Sequence, residues 1–285
     1  MATAQTMIDV SELRDLLGRG DVKVLDASWY LPGERRDPYQ EYVAARIPGA
    51  RFFDIDAIAD ENHACPHMLP TAEQFARQVG ALGVGSDDQV IIYDHKGLFS
   101  APRAWWMFRV FGHDQMRILS GGFPAWRAAG CPVESGDAVP GESESAFAAA
   151  QYQSHWVADK ALVQAAMVTG DALILDARSP ARFAGEEAEP RPGVRPGHVP
   201  TSRNLHYARL VADGGQGLKP LAELRQLFDA VGVKDATSVV TTCGSGISAC
   251  ILALALNELG HSTVAVYDGS WAEWGADSDC LIEKG

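Results

Sequence analysis

Val24-Leu25-Asp26-Ala27 returns as Ile174-Leu175-Asp176-Ala177, about 150 residues later, and no other feature of the chain restricts its fold so much. The echo continues. Val90-Ile91-Ile92-Tyr93-Asp94 matches Val239-Val240-Thr241-Thr242-Cys243, Phe111-Gly112-His113 matches Leu259-Gly260-His261, and Gly122 matches Gly269. The separation shrinks slowly along the chain, as expected of a duplicated domain that has lost single residues in its loops. With 285 residues, 47% hydrophobic and 21% charged, the chain can bury a core in each of two copies.

Each copy alternates short β-branched runs (residues 22–25, 90–93 and 117–119, then 173–175, 238–241 and 263–266) with amphipathic segments. That alternation is the pattern of βα units. The runs are almost continuously apolar, which implies burial on both faces, so each half is expected to be an α/β domain with a mainly parallel sheet covered by helices on both sides. The stretch around residues 136–154 is rich in small, polar and acidic residues and has no sustained period. It reads as a linker between an N-terminal domain over 1–135 and a C-terminal domain over 155–285. Fold alone assigns no chemistry.

A net charge of −13 repels phosphate backbones and argues against nucleic acid as a partner. No stretch reaches the ~18 uncharged apolar residues of a membrane span, and the first residues lack the basic and apolar regions of a leader. A cytoplasmic location is the expectation. The five cysteines (Cys65, Cys131, Cys243, Cys250 and Cys280) form no CxxC pair, so neither a zinc site nor a disulfide framework is expected.

The strongest local signal is Thr241-Thr242-Cys243-Gly244-Ser245-Gly246-Ile247-Ser248-Ala249, followed by an apolar run. It reads as strand, tight loop and helix. In open α/β sheets ligands sit beyond the carboxyl ends of the strands, where a helix start offers unpaired N–H groups and the positive end of its dipole. Two glycines let the backbone turn so that the N–H groups converge on one point and hold an anionic sulfur. Cys243 is thereby expected to be a nucleophilic thiolate. Cys250 falls inside the apolar helix and is expected in the core, while Cys65, Cys131 and Cys280 sit in loop-like contexts. Asp94 aligns with Cys243, and a carboxylate is no sulfur nucleophile. The first copy should be catalytically silent.

These residues resemble the tandem rhodanese-domain sulfurtransferases, and among them the 3-mercaptopyruvate sulfurtransferases. The resemblance covers essentially the whole chain. It rests on the cysteine loop, on Tyr267-Asp268-Gly269-Ser270-Trp271-Ala272-Glu273-Trp274, on Ser100-Ala101-Pro102-Arg103 and on Gly121-Gly122-Phe123. It implies two rhodanese-like domains, and a persulfide on Cys243 inside a loop whose Gly244, Gly246, Ile247 and Ser248 bind the donor. Arg182 and Arg191 match the arginines that hold the carboxylate and carbonyl of mercaptopyruvate, a task suited to planar guanidinium forks. Arg178, beside the strand end, is expected to be structural. Arg51-Phe52-Phe53-Asp54-Ile55-Asp56 and His67-Met68-Leu69-Pro70 also match, implying that Asp56 and His67 join Ser245 in a proton relay. Cys65, two residues before His67, departs from the family pattern. No cofactor is implied. The implied partners are a small-molecule sulfur donor and an acceptor that is cyanide, a small thiol or a protein dithiol such as thioredoxin.

Three rival readings are thiosulfate:cyanide sulfurtransfer, cysteine phosphatase or arsenate reductase chemistry, and a non-catalytic binding module. Thiosulfate-preferring members of the family carry basic residues just after the cysteine, where this chain has Gly244 and Ser245. A phosphatase loop ends in an oxyanion-binding arginine, where this chain has Ser248 and Ala249. The binding module suits the first half, with Asp94, but not the second. Replacing Gly244 and Ser245 by basic residues is expected to raise the thiosulfate-to-mercaptopyruvate ratio of kcat/KM, and an unchanged ratio in steady-state assays would remove this loop as the determinant.

Overall fold

The computed structural model describes residues 6–137, 145–148, 151–234 and 237–285. Two compact units divide the chain. The first contains Met1–Asp60, Leu69–Gln153 and Ala212–Leu218, and the second contains Glu61–Met68, Ser154–Val211 and Lys219–Gly285. Each half therefore lends a short segment to the other unit. Of the expected linker over 136–154, residues 138–144 and 149–150 lie outside the described residues. Phe147 is no loose spacer, because its ring is buried in the first unit against Phe75, Phe108 and His113.

The first unit runs β1 (Met7–Ile8), α1 (Val10–Leu16), β2 (Val22–Asp26), α2 (Pro38–Ala44), β3 (Arg51–Phe52), α3 (Ala72–Ala81), β4 (Gln89–Tyr93), α4 (Ala101–Val110), β5 (Met116–Leu119) and α5 (Gly122–Ala128). The second runs β6 (Val157–Ala158), α6 (Lys160–Thr169), β7 (Ala172–Asp176), α7 (Pro180–Ala184), β8 (Arg203–Asn204), α8 (Leu221–Ala230), β9 (Ser238–Thr242), α9 (Ala249–Glu258), β10 (Val264–Tyr267) and α10 (Ser270–Trp274). Their sheets have one topology, β1-β5-β4-β2-β3 and β6-β10-β9-β7-β8, with all strand pairs parallel. The six expected strands are present. The sequence pattern did not reveal the two-residue edge strands β1, β3, β6 and β8, which are too short to display a period.

Consecutive residues of the central strands are buried, as Val90, Ile91, Ile92 and Tyr93 show. Side chains alternate across a strand, so both faces of the sheet are covered. On one face Ile91 and Tyr93 pack with Leu13 of α1, Tyr42 of α2 and Trp126 of α5. The second unit repeats this with Ile174, Val240, Val163 of α6 and Trp271 of α10. Helix starts repeat too. Asp9 caps α1 by accepting from the N–H of Glu12, and Asp159 caps α6 by accepting from Leu162.

Register makes the equivalence of the halves concrete. Asp26 pairs with Tyr93 and Asp176 with Thr242, so Asp94 and Cys243 occupy the same place. The N–H of Phe123 donates to the Asp94 carbonyl, and that of Trp271 to the Cys243 carbonyl, each at 3.0 Å. This corrects one pairing, because the partner of Gly122 (φ +54°) is Ser270 (φ +49°) and not Gly269.

Beyond β4 the buried Asp94 carboxylate fills a ring of amides. Its Oδ2 accepts from the N–H groups of Phe99, Ser100 and Ala101 at 2.7, 3.0 and 2.9 Å, and its Oδ1 accepts from Lys96 at 2.9 Å. An Asp94→Ala substitution strands those four donors, so urea denaturation should show the first unit weakened by about 2–4 kcal/mol. A transition midpoint unchanged from the parent would show that the ring contributes nothing to stability.

Candidate functional site

In the second unit the loop after β9 carries Cys243 to the start of α9, a helix whose residues from Ala249 to Leu256 are all buried. A helix apolar on every side stays at the centre of its domain, so its N-terminus is held rigidly beside the strand ends. Cys243 itself is only 2% exposed, enclosed by its loop. By the register just described, the amides of Lys96, Phe99 and Ser100 correspond to those of Ser245, Ser248 and Ala249. In the first unit these donors meet a carboxylate. Here the side chain in that place is a thiol, and the N–H groups of Ser245, Ser248 and Ala249 have no acceptor among the described residues. Unpaired N–H groups at a helix start are donors that an anion can occupy, as the Asp94 carboxylate does in the first unit.

The two loop glycines serve different ends. Gly246 has φ +76°, as does its counterpart Gly97 at +96°, a region that L side chains enter at a cost. Gly244 needs no such conformation. A Cβ there would lie 3.0 Å from the Nη2 atom of Arg182, so what Gly244 supplies is room for a guanidinium.

Other predicted residues gather around the loop. Arg191 donates from Nη2 to the Ser245 hydroxyl at 3.3 Å. The buried imidazole of His67 lies with Nδ1 3.1 Å from the Ser245 carbonyl oxygen, and its backbone takes φ +64°. Such strain in a non-glycine residue is tolerated only where the surroundings enforce it. His67 thus reaches Ser245 through the backbone carbonyl, while the hydroxyl faces Arg191, which differs from a simple Ser-His-Asp chain. Asp56 belongs to the first unit, where its two oxygens accept from the indole N–H of Trp29 at 3.1 Å each. Ile247 and Ser248 complete the turn, and Ile247 is buried. Arg178 is buried on Asp176, on the Gly197 carbonyl and over the Trp271 ring.

Ser270 carried no role in the sequence reading. Its buried hydroxyl accepts from the N–H groups of Cys243 and Gly246 at 3.2 and 3.1 Å and donates to the Tyr267 carbonyl at 2.7 Å. The one signal was its place in the Tyr267-to-Trp274 motif. Among the other thiols, Cys250 is a core residue whose Sγ lies 3.1 Å from the Gly246 carbonyl, and Cys280 packs in the core of the second unit. Cys65 is half-buried in the second unit, and burial followed by the charge of Glu273 pushes its thiol above the ordinary range. That makes it a poorer nucleophile at neutral pH.

Comparison with known proteins agrees with this geometry. The family profile described as Rhodanese-like domain matches residues 9–129 and 159–277. The chain belongs to the rhodanese family. Among similar proteins, thiosulfate/3-mercaptopyruvate sulfurtransferase 1 (mitochondrial) of Arabidopsis thaliana is 42% identical over all of this chain and 79% of its own length. The 3-mercaptopyruvate sulfurtransferase of Escherichia coli K12 is 42% identical over 92% of each chain. The solved structure of SseA from Escherichia coli, a 3-mercaptopyruvate sulfotransferase, superimposes with a TM-score of 0.85 at 38% identity, covering 94% of this chain and 99% of its own. The chain thus sits with the 3-mercaptopyruvate sulfurtransferases of that family.

Removing the Ser270 hydroxyl takes one acceptor from the amides of Cys243 and Gly246. Ser270→Ala should slow alkylation of Cys243 by iodoacetamide about tenfold through misplaced loop dipoles. Ser270→Gly should be equally slow yet melt higher, because it also relieves the left-handed backbone. Parent-like alkylation in both variants would show that the hydroxyl does not organise the loop.

Proposed function

We propose that this chain moves the sulfur of 3-mercaptopyruvate to an acceptor through a persulfide on Cys243. The observation that carries the reading is the ring of amides: a carboxylate occupies it in one half, and in the other it surrounds a cysteine.

The Cys243 thiolate attacks the donor sulfur while Arg182 and Arg191 hold the carboxylate and ketone in a near-attack pose. The S–S bond forms as the carbon–sulfur bond breaks, and the electron pair of that bond passes to the carbon as the pyruvate enolate. The amides of Ser245, Ser248 and Ala249 stabilise charge on the outer sulfur. The proton of the former thiol passes to the enolate carbon, with His67 and Ser245 in the roles of proton carriers. Pyruvate leaves a persulfide anion. Cyanide, a small thiol or a dithiol of the thioredoxin type then attacks the outer sulfur, and Cys243 departs as the thiolate. This is a ping-pong cycle of two displacements.

Thiosulfate is the second donor to consider, since the Arabidopsis relative carries both donors in its name. Against it stands the absence of any basic side chain at positions 244 and 245, which a dianion would require. All five cysteines are free thiols, which suits a reducing compartment such as the cytoplasm. No helix among the described residues is long and apolar enough to cross a membrane.

Intact mass spectrometry tests the cycle. Mixing with 3-mercaptopyruvate should add one sulfur atom to the parent chain and none to Cys243→Ala, and cyanide should remove it as thiocyanate. Gain of the same sulfur by the variant would transfer the role to another thiol.

A further inference from the structure

The guanidinium of Arg182 does not stand alone beside the cysteine loop. Its Nη2 donates to Glu189 Oε2 at 2.5 Å and its Nε to Glu189 Oε1 at 3.3 Å. One edge of the fork is thereby committed to a carboxylate. Nη1 donates to no group among the described residues, and the fork lies against the position of Gly244.

Glu189 is itself buried and bonded on its far side. Its side chain is only 3% exposed, and its Oε1 accepts from Arg178 Nη1 at 2.8 Å. Arg178, with 1% of its side chain exposed, is clamped by Asp176 through Nε and Nη2, by the Gly197 carbonyl at 2.7 Å, and by the Trp271 ring 4.4 Å from its Cζ. Asp176 is the last residue of β7. A chain of alternating charge therefore runs from the sheet to the loop, Asp176 to Arg178 to Glu189 to Arg182. Each buried charge in it has an opposite partner, which is the condition for keeping ions away from water.

We infer that Glu189 is a positioning residue for sulfur transfer: it fixes the Arg182 fork so that the Nη1 edge is left for the donor beside Cys243, and the missing side chain of Gly244 leaves room for the guanidinium. This rests on the reading that Arg182 binds the donor. A long arginine left to rotate freely would lose side-chain entropy on every binding event, and a fork already held by a fixed carboxylate avoids that loss. The same carboxylate offsets one of the positive charges of the arginine cluster. The site is left matched to a singly charged carboxylate and less so to a dianion.

Steady-state kinetics with 3-mercaptopyruvate on the full chain test the inference. Glu189→Gln keeps the shape and removes the charge, and it should raise KM about tenfold while kcat stays within about threefold, the signature of lost binding and not of lost chemistry. Glu189→Asp retains the charge and should recover part of the KM. In an Arg182→Lys background, Glu189→Gln should change KM by less than about twofold, because residues acting through one another are not additive. Additive effects in the double variant, or a lower melting temperature with KM unchanged, would reduce Glu189 to a structural ion and overturn the inference. Should Glu189→Gln fail to fold, Gly244→Ala crowds the same guanidinium at Nη2, the nitrogen that Glu189 holds, and must give the same KM signature. If Arg182→Lys by itself leaves KM unchanged, the donor-binding reading falls together with the inference, whereas additivity overturns the inference alone.

Discussion

Backbone N–H groups at the junction of a parallel strand and a buried helix cannot all be satisfied by the helix they begin. In this protein that constraint is met twice, in two ways. Where the residue at the strand end is Asp94, its carboxylate takes four of the donors and closes the loop on itself. Where it is Cys243, three of the corresponding donors, the N–H groups of Ser245, Ser248 and Ala249, keep no acceptor among the described residues, while the fourth, that of Cys250, donates to the Ile247 carbonyl.

Duplication lets one copy serve as a physical control for the other. The strand order, the register at Asp26 and Asp176, and the bonds from Phe123 and Trp271 are held in common. Three differences bear on chemistry. The side chain at the strand end changes from carboxylate to thiol, His95 is replaced by Gly244 next in the chain, and Gly122 becomes Ser270. The last change adds a hydroxyl that binds two loop amides and accepts a strained backbone in return. Strain retained at such a place accords with a functional role.

The cationic side of the site depends on buried acids. Arg178 and Arg182 share Glu189, and removing either partner from such a pair leaves a charge with little access to water. Arg191 meets the Ser245 hydroxyl instead, so the two arginines next to the cysteine loop are held by different means: Arg182 is locked by a carboxylate, and Arg191 touches the loop directly. A chain with net charge −13 thus gathers positive charge locally beside the cysteine loop.

Much of this was legible in the residues themselves. Repetition of short apolar runs disclosed two α/β halves, since strand periodicity and turn chemistry are local properties. The cysteine with its glycines marked the loop between β9 and α9 as the candidate site, because the motif is contiguous. Two arginines and a histidine could be named only through resemblance to a family, as nothing near them in the chain specifies what they face. What folding alone decided is of another kind. Tertiary packing brought Ser270 under the loop from a segment 27 residues away, and it placed the segment around His67 in the second unit although it lies in the first half of the chain. It also gave Gly244 a spatial purpose in place of a conformational one, and joined Asp176, Arg178, Glu189 and Arg182 into one buried chain. Periodicity reports which face of an element is apolar, but partners in a polar network are chosen by distances between elements, and a linear sequence does not state those distances.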